Sequence, residues 1–260
     1  MGDIIRIDNS SYSRYEELLS KRDELRKKSY DYYAEYVRTF GEQILAVFQQ
    51  KIECIKKKKT IEFYQQALNK GNEIDHEALQ KYLSESLAEY HKQLDEMIRD
   101  TEATRAIGVV SEIDMLKIKS TYRKLAKLIH PDINPEIAHN ETLMDLWNRA
   151  VIAYQCNNLK DIEEVEVLVH RVLDQMGVKE IEINIPDINL KIEEVEQEIR
   201  DIKSKNPYLY KFLLEDKEAI SEKKESLNHE LEEYQDYSKQ LDDVIEEMIS
   251  GGVKIIWKMD

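Results

Sequence analysis

MLKIKSTYRKLAKLIHPD, residues 115–132, is a basic amphipathic helix that ends on a forced turn. Residues 115–129 carry five positive charges and no carboxylate, in a chain whose formal net charge is −15. Ile118, Tyr122, Leu125 and Ile129 fall on one side at helical spacing and are the expected core face. Lys119, Arg123 and Lys127 are spaced by four along another side, with Lys117 and Lys124 beside them. Like charges four apart repel, by roughly a few tenths of a kcal/mol per pair, and a solvated face normally mixes signs. An unmixed row is explained by an acidic partner that docks on it; a plain solvated face is the alternative. Pro131 lacks a backbone donor and holds His130 in extended geometry, so the helix stops there. Asp132 and Asn134 favour a turn. A second helix over 140–158 follows, with Leu143, Leu146, Trp147, Ala150 and Tyr154 on its inner face. Two antiparallel helices joined by a rigid polar loop make a finger with His130, Pro131 and Asp132 displayed at its tip.

Outward from the finger, hydrophobic spacing predicts more helices. Residues 11–70 read as one very long helix or two collinear ones, roughly 90 Å at 1.5 Å per residue, with Ser10 or Ser11 as cap. Tyr33, Val37, Phe40, Ile44 and Val47 form a seam that must face another helix. Gly71-Asn72 ends the segment and Asp75 caps a second helix carrying Leu79, Leu83, Leu87, Tyr90, Leu94 and Met97, so an antiparallel hairpin is expected. The helix after the finger covers Asp161 to Met176. Residues 178–185 alternate as a strand ended by Pro186. A helix over 187–205 carries Ile192, Val195, Ile199 and Ile202. After the Asn206-Pro207 break, a final helix to Ser250 repeats Leu213, Ile220, Leu227, Tyr234, Leu241 and Met248 every seven residues. Val253 to Trp257 and Ile4 to Ile7 are further strand candidates, and with 178–185 they are expected to form a small sheet joining the chain ends.

The predicted fold is therefore mainly all-α. Residues 1–100 form a long helical hairpin, 101–177 a compact helical region, 178–186 a strand or linker, 187–250 a C-terminal hairpin and 251–260 a last strand. Composition agrees: of 260 residues, 35% are charged, and only 7 Gly and 4 Pro punctuate the chain, as long helices require. The acidic balance argues against broad nucleic-acid binding. No apolar run spans a bilayer and no signal peptide is read at the N-terminus. Met1-Gly2 suits myristoylation poorly, because Arg6 stands where Ser or Thr is wanted. Cys54 and Cys156 lie far apart, which fits a reducing cytoplasm without a zinc site.

At Ile118-Lys119-Ser120-Thr121-Tyr122-Arg123-Lys124-Leu125-Ala126-Lys127-Leu128-Ile129-His130-Pro131-Asp132 the chain resembles helix two and the loop of the J domain, the signature module of the DnaJ family. Ala153-Tyr154 resembles that family's third-helix pair, and Ala106-Ile107-Gly108-Val109 resembles the end of its first helix. The resemblance covers Glu102 to Met176. It implies that His130, Pro131 and Asp132 contact a DnaK-class heat-shock ATPase and stimulate ATP hydrolysis. It also implies that Lys119, Arg123, Lys124 and Lys127 dock on that partner's acidic surface. The family's Gly/Phe-rich linker, zinc repeats and β-sandwich client domain have no counterpart here. The chain resembles a divergent member with coiled-coil arms in their place.

Other groups carry blander readings. His130, Asp132 and His139 lack a second cluster that would complete a metal site. The Lys56 to Lys59 run sits among Glu53 and Glu62 as a solvated face. Tyr30, Tyr32, Tyr33 and Tyr36 are helix-packing residues first, a partner surface second. Glu193-Glu194 and Asp242-Asp243 have no apolar pocket to shift a pKa. The expected function is a cytoplasmic co-chaperone, not an enzyme, without cofactor or metal, that acts on a DnaK-class ATPase. Its helical arms select an unidentified client or form a homo-oligomer, with no nucleic acid or membrane involved. The alternative is a structural coiled-coil scaffold whose finger no longer activates a chaperone.

Overall fold

The computed structural model describes residues 9–71, 73–106, 110–177, 187–251 and 255–256. The fold is all-α. The described residues hold α1 (Asn9–Asn69), α2 (His76–Ala106), α3 (Glu112–Ile129), α4 (Glu141–Gln155), α5 (Leu159–Gln175), α6 (Ile188–Ser204), α7 (Tyr210–Leu214) and α8 (Lys217–Ser250). Two two-residue strands, β1 (Ile74–Asp75) and β2 (Ile255–Ile256), pair in parallel. The chain divides into two compact units.

The first unit comprises residues 1–33 and 107–211. Its main core lies inside α3, α4 and α5: Ile118, Leu125 and Ile129 meet Leu143 and Ala150, and Ile162, Val165 and Val169 of α5 complete the cluster. Each helix starts on a side-chain cap. Ser111 Oγ accepts from the Asp114 amide, Asn140 Oδ1 from Leu143 and Asn158 Oδ1 from Asp161, each satisfying a donor that a helix start leaves unpaired. A smaller cluster joins Tyr15, Leu19 and Leu25 of α1 to Ile192, Val195 and Ile199 of α6, with Ile133 of the finger loop among them.

The second unit comprises residues 34–106 and 212–260. Phe40 and Val47 of α1 pack on Leu227 of α8, flanked by Tyr36, Ile44, Ile220, Leu231 and Tyr234. Further along, Tyr64 of α1 meets Leu79 and Leu83 of α2, with Ile245 and Met248 of α8 beside them. Parts of the seams expected on α1, α2 and α8 are thus buried against one another. A Cβ at Gly41 would sit 3.4 Å from Thr101 Oγ1, so the missing side chain lets α1 and α2 approach. Gly71 has φ +65° just beyond the end of α1, a left-handed geometry that glycine adopts without cost. Asp75 Oδ1 caps α2 through the Glu77 and Ala78 amides.

Several expectations change. α1 already contains Ser10 and Ser11, so neither marks its start. The last helix is interrupted at Glu215-Asp216, where Asp216 Oδ1 accepts from the Glu218 and Ala219 amides and restarts it as α8. α6 takes apolar partners from α1 in the first unit, and α8 takes its own in the second. β2 pairs with β1, a partner that period-two patterning could not name. The strand candidates at 178–185 and 4–7 lie outside the described residues.

Candidate functional site

α3 ends where the sequence requires. His130 is its C-terminal cap residue, with φ −66° and ψ 123°, the extended geometry that a following proline imposes. The loop then closes on itself. The His130 carbonyl accepts from the Ile133 amide at 3.0 Å and the Asn134 amide at 2.8 Å. The Asp132 amide donates to His130 Nδ1 at 3.0 Å. Asn134, 3% exposed, turns its Nδ2 back onto the Lys127 and Leu128 carbonyls, which the last turn of α3 leaves without helical partners. The loop is therefore fixed by its own bonds.

The tip does not display all three residues. The His130 ring is 2% exposed, whereas the Asp132 side chain is 44% exposed and Pro131 is half-buried. The imidazole lies against Trp147, centroids 4.5 Å apart, and faces α1. Arg22 of α1 donates to Asp132 at 3.2 Å and approaches His130 Nε2 to 3.1 Å. It also bonds Asp23 on its own helix, and Asp23 Oδ2 accepts from the Tyr122 hydroxyl at 3.0 Å. Tyr122 stacks on Tyr154 at 4.1 Å. Arg22, Asp23, Tyr122 and His130 are all buried, and the buried charge is paired, Arg22 with Asp23 and Asp132, and Asp23 also with the Tyr122 hydroxyl.

Burial dominates the titration of this group. It pushes His130 down to about 4, with Arg22 and Arg26 adding to the shift and Asp23 and Asp132 opposing it. Geometry agrees: Nδ1 must stay unprotonated to accept from the Asp132 amide, which leaves Nε2 carrying the hydrogen beside the Arg22 guanidinium, a place where a further positive charge is disfavoured. Protonation would remove that acceptor. Tyr122 is raised by burial and then by Asp23. Burial lowers Arg22, but Asp23 and Asp132 more than offset it, and the guanidinium ends above its ordinary value.

The basic row lies together along α3, and each member meets a carboxylate. Lys119 pairs with Glu24 at 2.9 Å and Lys127 with Glu16 at 2.8 Å, both on α1. Arg123 is 3.7 Å from Glu24. Lys124 reaches Glu166 of α5 at 3.3 Å, and Lys117 is 3.9 Å from Asp114. The acidic surface that the unmixed row calls for is thus present within the chain. Arg123, Lys124 and Lys127 still keep more than half of their side-chain surface open to solvent. Two cavities flank the seam between α1 and the finger. One of about 360 Å³ lies over Glu16, Ser20, Tyr122 and Lys127, and one of about 300 Å³ lies over Arg26, Asp132 and Asn148.

The residues that the sequence did not single out are Glu16, Arg22, Asp23 and Glu24. Arg22 carried a signal. Tyr15, Leu19 and Arg22 follow the four-three spacing of a seam, and a charge on a seam position marks a buried pair in wait of a partner. Of the four residues that resemble the end of a first J helix, Ala106 closes α2. Ile107, Gly108 and Val109 lie outside the described residues, and α2, which ends at Ala106, belongs to the second unit. Among the described residues, no three His, Cys, Asp or Glu side chains stand together to hold a metal ion. No helix among them is long and apolar enough to cross a membrane. Compared with protein-family models, curated proteins and solved structures, the chain matches none.

Proposed function

We propose that the chain is a J-type co-chaperone, not itself an enzyme, that docks its finger on a DnaK-class heat-shock ATPase in the cytoplasm and stimulates ATP hydrolysis. The observation that carries this reading is the alignment of Lys119, Arg123, Lys124 and Lys127 along one helix that ends on a rigid turn holding Asp132 half-exposed. A row of cations with one fixed carboxylate at its end specifies orientation as well as attraction. The ion pairs now made by the row are exposed ones, typically worth about 0–1 kcal/mol each, so an acidic partner can exchange them. The remaining helices would select the client.

The test is single-turnover ATP hydrolysis by a DnaK-class ATPase with and without the chain. Stimulation is expected, and Asp132→Asn and the pair Lys124→Glu/Lys127→Glu should each lower it about tenfold, the scale of one charge-assisted contact. Equal hydrolysis with wild type, variants and no added chain contradicts the reading. One observation favours a second reading, a helical scaffold whose finger serves only as a packing element: His130 is 2% exposed and held by α1. The scaffold predicts no stimulation and no interaction lost on reversing the lysines.

A further inference from the structure

The contact between α1 and the finger differs in kind from the cores on either side of it. The finger's apolar cluster is supplied by α3, α4 and α5, with Ile137 of the turn between α3 and α4, and α1 contributes no buried residue to it. The buried apolar residues of α1 in this unit face α6, and Ile133 is the one finger residue that joins them. What ties α1 to the finger is largely polar: Arg22 to Asp132, Glu24 to Lys119, Glu16 to Lys127, Asp23 to Tyr122, and Lys27 to Asn157 at 2.6 Å. The two cavities leave this seam incompletely filled. Polar, loosely packed seams characterise contacts that open, whereas cores are close-packed. Opening would not strand the buried charge, because Arg22 and Asp23 are bonded neighbours on α1 and would enter solvent together.

The chemistry of the cover also matches what it covers. α1 sets carboxylates on the basic row and a guanidinium on Asp132, so an acidic docking partner and α1 need the same atoms of the finger. We infer that the Glu16 to Lys27 stretch of α1 is a displaceable autoinhibitory cover, which competes with the partner for the finger and keeps His130 enclosed until the partner displaces it. This rests on the J-type reading of the finger. Two states linked in this way reduce apparent affinity by the fraction that is open.

The experiment uses the full chain with Glu16→Lys/Glu24→Lys, which sets cations against the basic row and leaves the finger unaltered. Two quantities are read: carbethoxylation of His130, and the chain concentration that gives half-maximal single-turnover hydrolysis by a DnaK-class ATPase. The variant should open His130 to the reagent and lower that concentration about tenfold; Asp132→Asn added to it should abolish the gain. If His130 stays protected, the carboxylates do not hold the cover and the inference falls. If His130 opens but the variant stimulates no better than an active wild type, the inference is overturned and the J-type reading stands. If His130 opens and neither protein stimulates, both are overturned.

Discussion

His130 concentrates the tension between the sequence and the fold. A His-Pro-Asp turn at the end of a basic helix reads as an exposed partner-facing element, yet the ring is enclosed by Trp147, Tyr122, Arg22 and Asp23. Burial has a thermodynamic consequence with a definite sign. The ring's folded pKa of about 4 lies below its ordinary 6.5. Between those values the unfolded chain binds a proton that the folded chain does not. Stability is therefore intact above about pH 6.5 and is lost as pH falls toward 4. Groups facing the ring from α1 are Arg22, Asp23 and Arg26, and Asp132 faces it from the loop. Urea unfolding at pH 7 and pH 5 should show wild type losing about 2 kcal/mol more than His130→Gln over that interval. Equal losses would show that the ring is solvated. Nothing local to residues 115–132 announces this enclosure, because Arg22 lies far away in sequence and its approach depends on how α1 packs.

At the scale of elements, periodicity was a sound guide to helix faces and a poor guide to their partners. The stripes on α1, α3, α4, α6 and α8 supply the buried residues Phe40, Ile118, Leu143, Val195 and Leu227. A stripe states that something must cover it, and several helices of similar length and spacing compete for the role. The apolar partners of α6 within its unit lie on α1, which the spacing of its stripe alone could not name. The interruption between α7 and α8 was hidden for a related reason. The seven-residue repeat runs through it without a slip, and Leu213 still reaches the cluster around Phe40 and Leu227. Asp216 is the local signal, since its carboxylate caps two amides of α8. Asp216→Ala should lower stability by about 1 kcal/mol, and Asp216→Ser should restore most of it, as read by thermal unfolding. An unchanged melting temperature in Asp216→Ala would mean that the helix continues through Glu215. The Lys56 to Lys59 run shows the converse case: Lys56, Lys57 and Lys59 meet Glu53, Asp242 and Glu62, as a mixed-sign surface predicts.

Over the whole molecule, acidity is broad and the cationic row is local, with a net charge of −15 around it. Such a chain repels acidic surfaces except where the row is open, so access to the row governs whether an acidic partner can dock at all. In each of the two units apolar clusters pack on internal partners, whereas the contact between α1 and the finger is largely polar and is the feature most suited to change. Whether the chain's own first helix encloses His130 decides between a covered finger and an open one. The direct measurement is site-resolved carbethoxylation of the wild-type protein at pH 7. His91, His139, His170 and His229 are exposed and should react readily, while His130 stays unmodified until the chain is unfolded. Modification of His130 at the rate of His139 in the native protein would contradict the account.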